Sequence, residues 1–167
     1  FSDYSRIFKE IEKVVKRGDY TLGDKVNEFE KNFSKRTGSK YVIGVGNGTD
    51  ALFLGLKALG IGRGDKVIVP NFTFIATANA VEMVGATPLF VDIDINNLQI
   101  DIKKCHELLS KRPKAIMPVH LSGRPCEMDK IMDISKKYNI PVIEDAAQAV
   151  GSKFKKKPLG SFGKINC

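Results

Sequence analysis

Short apolar runs alternate with segments of helical periodicity along most of this chain. The apolar runs, rich in β-branched residues, predict strands at residues 66–70, 88–92, 115–119 and 141–144. Between them, apolar residues recur three and four positions apart, which predicts helices at residues 74–84, 101–110 and 128–138. Alternation at this spacing favours a mostly parallel sheet with helices on both faces. The predicted fold is therefore an α/β, three-layer αβα sandwich.

The two ends of the chain depart from this alternation. Residues 1–40 are predicted to form an N-terminal helical segment, with amphipathic helices that end near Gly18 and Gly38. A β-rich run at residues 41–45 then opens a domain that we assign to residues 41–167. The tail is predicted to contain short β segments at residues 150–154, 159–160 and 163–167. Because the chain stops inside a predicted strand, we expect this domain to be incomplete.

Composition limits the class of protein. With 167 residues, 43% hydrophobic and 28% charged, the chain suits one soluble globular domain. No apolar run approaches the ~20 residues that a membrane helix needs, so no membrane association is predicted. The cysteines Cys105, Cys126 and Cys167 are odd in number and widely spaced, which is typical of a reduced, cytoplasmic protein. They lack the paired spacing of metal ligands, so no metal site is predicted.

The chain carries a formal charge of +8. An excess of positive charge can indicate that the partner is a nucleic acid, a membrane surface or an anionic small molecule. Part of the excess is local and comes from Lys153, Lys155, Lys156, Lys157 and Lys164. This clustering favours a lysine-rich solvated hairpin, and the sequence contains no RNA-binding aromatic motif or helix-turn-helix signature. No nucleic-acid partner is predicted.

A glycine-rich turn joins the first β-rich run to the following helix. Residues 44–52 read GVGNGTDAL. Free backbone N–H groups at a helix start favour a phosphate, and the Thr49 hydroxyl could add a further donor. Alternatively, Thr49 only caps its helix. The turn lacks the third glycine of a dinucleotide fingerprint and the Gly-Lys-Ser/Thr of a P-loop.

A second loop follows the strand at residues 66–70 and reaches the same sheet edge. Residues 70–79 read PNFTFIATAN. An aromatic side chain here could lie flat on a planar ligand, or it could pack into the core. The side chains of Phe72 and Phe74 are expected to point in different directions, so at most one of them is expected to stack on a ligand.

A third loop begins with a carboxylate at the end of the strand at residues 141–144. Asp145 and Gln148 belong to the stretch PVIEDAAQ, in which apolar residues run into an acidic pair. Ligands of open α/β sheets bind at the carboxyl ends of strands, and a buried carboxylate there needs a partner. Asp145 could instead cap a helix. His120 and Arg124 follow the neighbouring strand and could line the same pocket or shape a turn.

Together these three loops offer a phosphate cradle, an aromatic face and a carboxylate. A planar cationic heteroaromatic that carries a phosphate would use all three features. Pyridoxal 5′-phosphate (PLP) is such a molecule, so the sequence predicts PLP as the cofactor.

At these residues the sequence resembles the DegT/DnrJ/EryC1/StrS family, the PLP-dependent sugar aminotransferases of fold type I. The resemblance follows family order and spacing over nearly the whole chain, through residues 20–23, 29–30, 48–52, 62–70, 72–79, 85–86, 91–92, 120–123 and 144–151. It implies that residues 41–167 are part of the large PLP-binding domain of that fold, without the small C-terminal domain.

The resemblance implies a role for each candidate residue. Thr49 and Asp50 would bind the cofactor phosphate, and Phe74 would stack on the pyridine ring. Asp145 would pair with the ring nitrogen, and Gln148 would reach the phenolic oxygen. The family's Schiff-base lysine follows a stretch that matches residues 163–167 here, so we expect it beyond Cys167 and expect no catalytic residue in this chain.

The implied reaction moves an amino group, from a donor such as L-glutamate, to a keto group on a nucleotide-linked sugar. The resemblance further implies a homodimer, and we expect the 167 residues alone to be inactive. Two alternatives remain open at this point: a sugar dehydratase of the same family, in which histidine replaces the lysine, and a non-catalytic regulatory relative.

Overall fold

The computed structural model describes residues 3–167. Its contacts divide the chain into two compact units, residues 1–44 and 45–167. In the first unit, helices α1 (Tyr4–Arg17) and α2 (Asp24–Thr37) each end at a glycine in the left-handed conformation, Gly18 and Gly38. Glycine adopts this conformation without a Cβ penalty, which is why both helices stop there. The assignment of residues 1–40 and 41–167 to separate domains stays a prediction.

The second unit is built on parallel strands. Strands β1 (Lys66–Pro70), β2 (Thr87–Val91) and β3 (Ala115–Ile116) form a sheet in the order β2-β1-β3. Single parallel bridges join β3 and the residues after it to the segment of β4 (Ile143–Glu144), and β4 pairs in parallel with β7 (Ile165–Asn166). The carboxyl ends of these strands therefore meet along one edge.

Helices cover this sheet on both faces. They are α3 (Gly48–Ala58), α4 (Ala76–Met83), α5 (Ile102–Leu108) and α6 (Met128–Tyr138). Successive residues of β1 enter different cores: Ile68 packs with Ile131 and Ile134 of α6, whereas Val67 and Val69 join the cluster that contains α3 and α4. This alternation is that of a strand buried on both sides. The predicted three-layer α/β sandwich with a mostly parallel sheet is confirmed.

Two predicted β segments are wrong. Residues 41–45 form no strand, and Tyr41 and Ile43 are 75% and 79% exposed. Their β propensity has no effect because no other strand in residues 3–167 pairs with them. Residues 159–160 also form no strand: they lie in a turn, and Leu159 packs into the core.

The lysine-rich segment forms a hairpin with a two-residue turn. Strands β5 (Lys153–Phe154) and β6 (Lys157–Pro158) pair antiparallel. Lys155 and Lys156 between them both have positive φ, as the tightest hairpin turns require.

Helix α3 approaches the sheet closely at Gly55. A Cβ atom at this position would lie 3.0 Å from Cγ2 of Ile165 and 3.6 Å from Sγ of Cys167. The absence of a side chain at Gly55 therefore lets β7 lie directly under α3. Within residues 3–167, no helix combines the length and apolar character that a membrane crossing requires.

Candidate functional site

A cavity of about 350 Å³ opens at the carboxyl ends of the strands. The residues that line it are Asn47, Gly48, Thr49, Leu52, Thr73, Phe74, Ala76, Thr77, Val119, Asp145, Ala147, Gln148 and Cys167. Ligand sites of open α/β sheets occupy this edge, and the volume is within the range of small-molecule pockets. Of the five predicted site residues, the structure brings four to this cavity: Thr49, Phe74, Asp145 and Gln148.

The first turn of α3 contributes unpaired backbone donors to the cavity wall. Asn47 caps the helix, and its Oδ1 accepts a hydrogen bond from the Asp50 N–H at 2.9 Å. The Ala51 N–H bonds to the Asn47 carbonyl. The N–H groups of Gly48 and Thr49 have no intrahelical acceptor because they belong to the first turn. Together with the helix dipole, they favour an anion.

Asp50 does not line the cavity. Its Oδ2 accepts a hydrogen bond from Nδ2 of Asn47 at 3.0 Å, and Asp50 thereby returns the bond that its own N–H makes to Asn47. This reciprocal pair fixes the start of α3. The Asp50 side chain thus supports the turn that carries Thr49, and its contact with a phosphate stays a prediction.

Phe74 lies at the cavity wall with 68% of its surface exposed. Phe72 is also half exposed but does not line the cavity. Of the two rings, Phe74 is therefore the one that offers an aromatic face to a ligand in this cavity. An exposed phenyl ring beside a cavity buries its apolar surface when a planar ligand covers it.

Asp145 follows β4 and is 7% exposed. Its Oδ2 accepts a hydrogen bond from the Thr77 hydroxyl at 3.0 Å, and its Oδ1 accepts one from the Ala147 N–H at 3.3 Å. Burial raises the pKa of Asp145, and these two hydrogen bonds oppose that rise. Within residues 3–167, no lysine or arginine forms an ion pair with this carboxylate. Asp145 is therefore a buried acid that lines a cavity without a cationic partner.

Gln148 is oriented by a backbone donor. Its Oε1 accepts a hydrogen bond of 2.6 Å from the Ser122 N–H, in the turn after β3. Because the oxygen is engaged, the Gln148 amide N–H groups remain as donors at the cavity wall. Ser122 makes this contact from a left-handed conformation, with φ of 55°.

Glu144 and His120 form a buried network beside Asp145. Both side chains are completely buried, and Nε2 of His120 lies 3.0 Å from Oε1 of Glu144. Nδ1 of His120 accepts from the Cys126 N–H, which assigns its proton to Nε2 and makes the imidazole neutral. His120 therefore does not line the cavity, and of the two roles left open for it, the structure supports shaping the turn.

Three backbone donors complete the shell around Glu144. Oε1 accepts from the Gly160 N–H at 2.7 Å, and Oε2 accepts from the N–H groups of Phe162 and Gly163 at 2.6 and 2.7 Å. Burial alone would raise the pKa of Glu144, but the bonds from His120 and these N–H groups outweigh it and hold the pKa below its usual range.

Sequence reasoning missed Thr77 and Cys167 as neighbours of Asp145. Thr77 lies within the predicted helix at residues 74–84, and no sequence signal indicates that its hydroxyl contacts a residue 68 positions later. The Cys167 thiol lies in the cavity wall, and burial and the nearby Asp145 raise its pKa to about 12. Only the three-dimensional pairing of β4 with β7 brings Cys167 to the site.

The sequence model of the DegT/DnrJ/EryC1/StrS aminotransferase family matches residues 2–167. This chain belongs to that family. It is 49% identical, over 162 residues, to a dTDP-3-amino-3,6-dideoxy-alpha-D-galactopyranose transaminase from Aneurinibacillus thermoaerophilus. The match covers 95% of this chain and 45% of that relative.

Solved structures of the family agree in fold. A DegT DnrJ EryC1 StrS aminotransferase from Brucella abortus superimposes with a TM-score of 0.95 at 39% identity, over 99% of this chain and 46% of the other. The NtdA protein of Bacillus subtilis, solved with bound cofactor PMP, gives a TM-score of 0.89 at 38% identity, over 95% and 37% of the two chains. The chain thus spans less than half the length of the relatives it matches.

Proposed function

We propose that this chain forms the cofactor-binding part of a PLP-dependent sugar aminotransferase. The observation that carries the proposal is Asp145, a buried carboxylate that lines the cavity and whose hydrogen-bond donors among the described residues 3–167 are neutral. A protonated pyridine nitrogen would supply the missing positive charge. A related protein, NtdA, binds PMP, the amino form of the same cofactor.

The remaining side chains fit the other parts of this cofactor. Thr49 and the free N–H groups at the start of α3 would hold the phosphate, with Asp50 fixing that turn. Phe74 would cover the ring, and the Gln148 amide would donate to the phenolic oxygen. When bound, PLP acts as an electron sink for chemistry at the substrate carbon, and Asp145 would keep its ring nitrogen protonated.

The proposed substrate is a nucleotide-linked keto-sugar, with an amino acid such as L-glutamate as the donor. The relative from Aneurinibacillus thermoaerophilus supports this substrate class, because its name is that of a dTDP-sugar transaminase. We assign no Schiff-base lysine within residues 1–167. We further propose that the whole protein is a cytoplasmic homodimer, and the three free cysteines fit a reducing compartment.

Asp145→Asn in the full-length protein tests this function. Asparagine keeps the shape of the side chain but cannot balance a ring cation. We expect the variant to form 2-oxoglutarate from glutamate in the half-reaction more slowly, by about 100-fold or more. Asp133→Asn, the same change at an exposed position of α6, is the matched control and should leave the rate unchanged.

Two results would count against the proposal. If the wild-type protein binds no PLP in an absorbance titration, the cofactor is wrong. If the wild-type protein reacts with glutamate and Asp145→Asn keeps its full rate, the role of Asp145 is wrong while the aminotransferase function stands.

A further inference from the structure

We infer that Thr77 is a positioning residue. Its hydroxyl holds the Asp145 carboxylate in the ionised form and directs it toward the ring nitrogen of the cofactor. The inference rests on the proposed function, since it concerns the same cavity. Neither the family resemblance nor the sequence pattern assigns a role to Thr77.

The geometry gives the hydrogen bonds around Thr77 a direction. Thr77 is completely buried on α4, and its Oγ1 lies 3.0 Å from Oδ2 of Asp145. An ionised carboxylate can only accept, so the single hydroxyl proton of Thr77 points to Asp145. The Thr73 hydroxyl lies 3.0 Å from the same Oγ1 and must therefore donate to it. The result is a chain of donors from Thr73 through Thr77 to Asp145.

This direction favours the negative charge on Asp145. A hydroxyl that itself accepts a hydrogen bond is polarised and becomes a stronger donor, and the effect is larger in a buried site. Hydrogen bonds to a carboxylate stabilise its charged form over its protonated form. The two threonines thus oppose the effect of burial, which raises the pKa of Asp145, and a proton shared with the ring would stay on the ring.

Other titratable groups near Asp145 do not replace this role. His120 is neutral, because its Nδ1 accepts from the Cys126 N–H and its Nε2 donates to Glu144. Burial raises the pKa of the Cys167 thiol to about 12, so it is uncharged near neutral pH. The carboxylate of Glu144 is occupied by its own donors. The short-range donors to Asp145 are therefore Thr77 and the Ala147 N–H.

The experiment uses the full-length protein loaded with PLP that carries nitrogen-15 in the ring. The nitrogen-15 chemical shift reports whether the ring nitrogen is protonated, and fluorescence titration gives the cofactor Kd. Thr77→Val removes the hydroxyl and keeps the shape, whereas Thr77→Ser keeps the hydroxyl. Thr87→Val makes the same change at an exposed residue at the start of β2 and is the matched control.

For Thr77→Val we expect the shift to move toward that of an unprotonated ring and the Kd to rise about tenfold, the effect of losing one hydrogen bond to a charged group. Thr77→Ser should match the wild type in both measurements, and so should Thr87→Val. Thr73→Val, which removes only the outer donor, should shift the signal in the same direction by a smaller amount.

The outcomes separate this inference from the proposed function. Failure of the wild-type protein to bind PLP overturns the function. Wild-type binding with an unchanged nitrogen-15 shift in Thr77→Val overturns the inference alone. Should Thr77→Val fail to fold, Thr73→Val decides: a shift toward the unprotonated ring supports the donor chain, and a wild-type shift refutes it.

Discussion

The shell of donors around Glu144 leads to a strong prediction for Glu144→Gln. Each carboxylate oxygen accepts two hydrogen bonds, one pair from His120 and Gly160 and the other from Phe162 and Gly163. The glutamine side chain has one oxygen that accepts, and in place of the second oxygen it has an NH2 group that only donates. In one orientation the NH2 group faces the donors of His120 and Gly160. In the other it faces those of Phe162 and Gly163, and the Gly163 N–H also donates to Oδ1 of Asn166 at 3.1 Å.

The size of the effect follows from that count. A donor left without an acceptor costs about 1–3 kcal/mol, and at least one donor loses its acceptor in either orientation, so the substitution destabilises the folded state by at least about 1–3 kcal/mol. Whole domains are stable by only about 5–15 kcal/mol. We therefore expect a large fall in the unfolding temperature, with local opening of the segment from Gly160 to Gly163.

Hydrogen–deuterium exchange of the full-length protein measures that opening at the amides concerned. The N–H groups of Gly160, Phe162 and Gly163 should exchange at least about fivefold faster in Glu144→Gln, as a loss of about 1 kcal/mol implies. Glu82→Gln, at an exposed position of α4, serves as the control and should leave exchange unchanged. Equal protection of these amides in wild type and Glu144→Gln would refute the reasoning.

The pH dependence gives a second check. The folded-state pKa of Glu144 lies below its ordinary value of 4.5. Its stabilisation is therefore complete above about pH 4.5 and is lost as the pH falls through the folded pKa. The stability difference between wild type and Glu144→Gln should be full at neutral pH and shrink in acid, and a difference that grows in acid would contradict the assignment.

Two further predictions concern packing and reactivity. Gly55→Ala places a Cβ atom 3.0 Å from Ile165 and should destabilise the fold by about 1–3 kcal/mol. A thermal melt should show this as a lower Tm. An unchanged Tm would contradict the close approach of α3 to β7. Cys105 and Cys126 are completely buried, and burial raises their pKa values to about 11 and about 12. Mass spectrometry should therefore find both thiols unmodified by iodoacetamide in the folded protein at pH 8 and modified in urea, and rapid labelling of the folded protein would exclude this burial.

The sequence predicted those helices and strands that depend mainly on residues close together in the chain. Strand β1 and helix α6 have the predicted bounds, Lys66–Pro70 and Met128–Tyr138. The strand is buried on both faces, so its apolar run is unbroken, and the helix has a clear apolar stripe that ends before Asn139 in a left-handed conformation. The expected strand at residues 41–45 had suitable residues, but a strand exists only where a neighbour pairs with it.

The same distinction separates the predicted from the missed parts of the site. Thr49, Phe74 and Asp145 lie in loops next to strand ends, and the parallel topology alone brings such loops to one edge. The partner of Asp145, Thr77, is 68 residues away in the sequence, and the donors to Glu144 come 16–19 residues after it. Spacing in one sequence contains no record of such pairings.

The lining of the cavity, which runs from Asn47 to Cys167, has a consequence for folding. Residues that are far apart in the sequence form its walls. Contacts between such residues form late in folding because loop-closure entropy opposes them. A ligand that recognises only the assembled cavity binds the folded state and not the unfolded chain. At a free concentration of one hundred times its Kd, such a ligand would stabilise the fold by about 2.7 kcal/mol. The supply of cofactor would then help to set how much of the protein is folded, as well as how much of it is active.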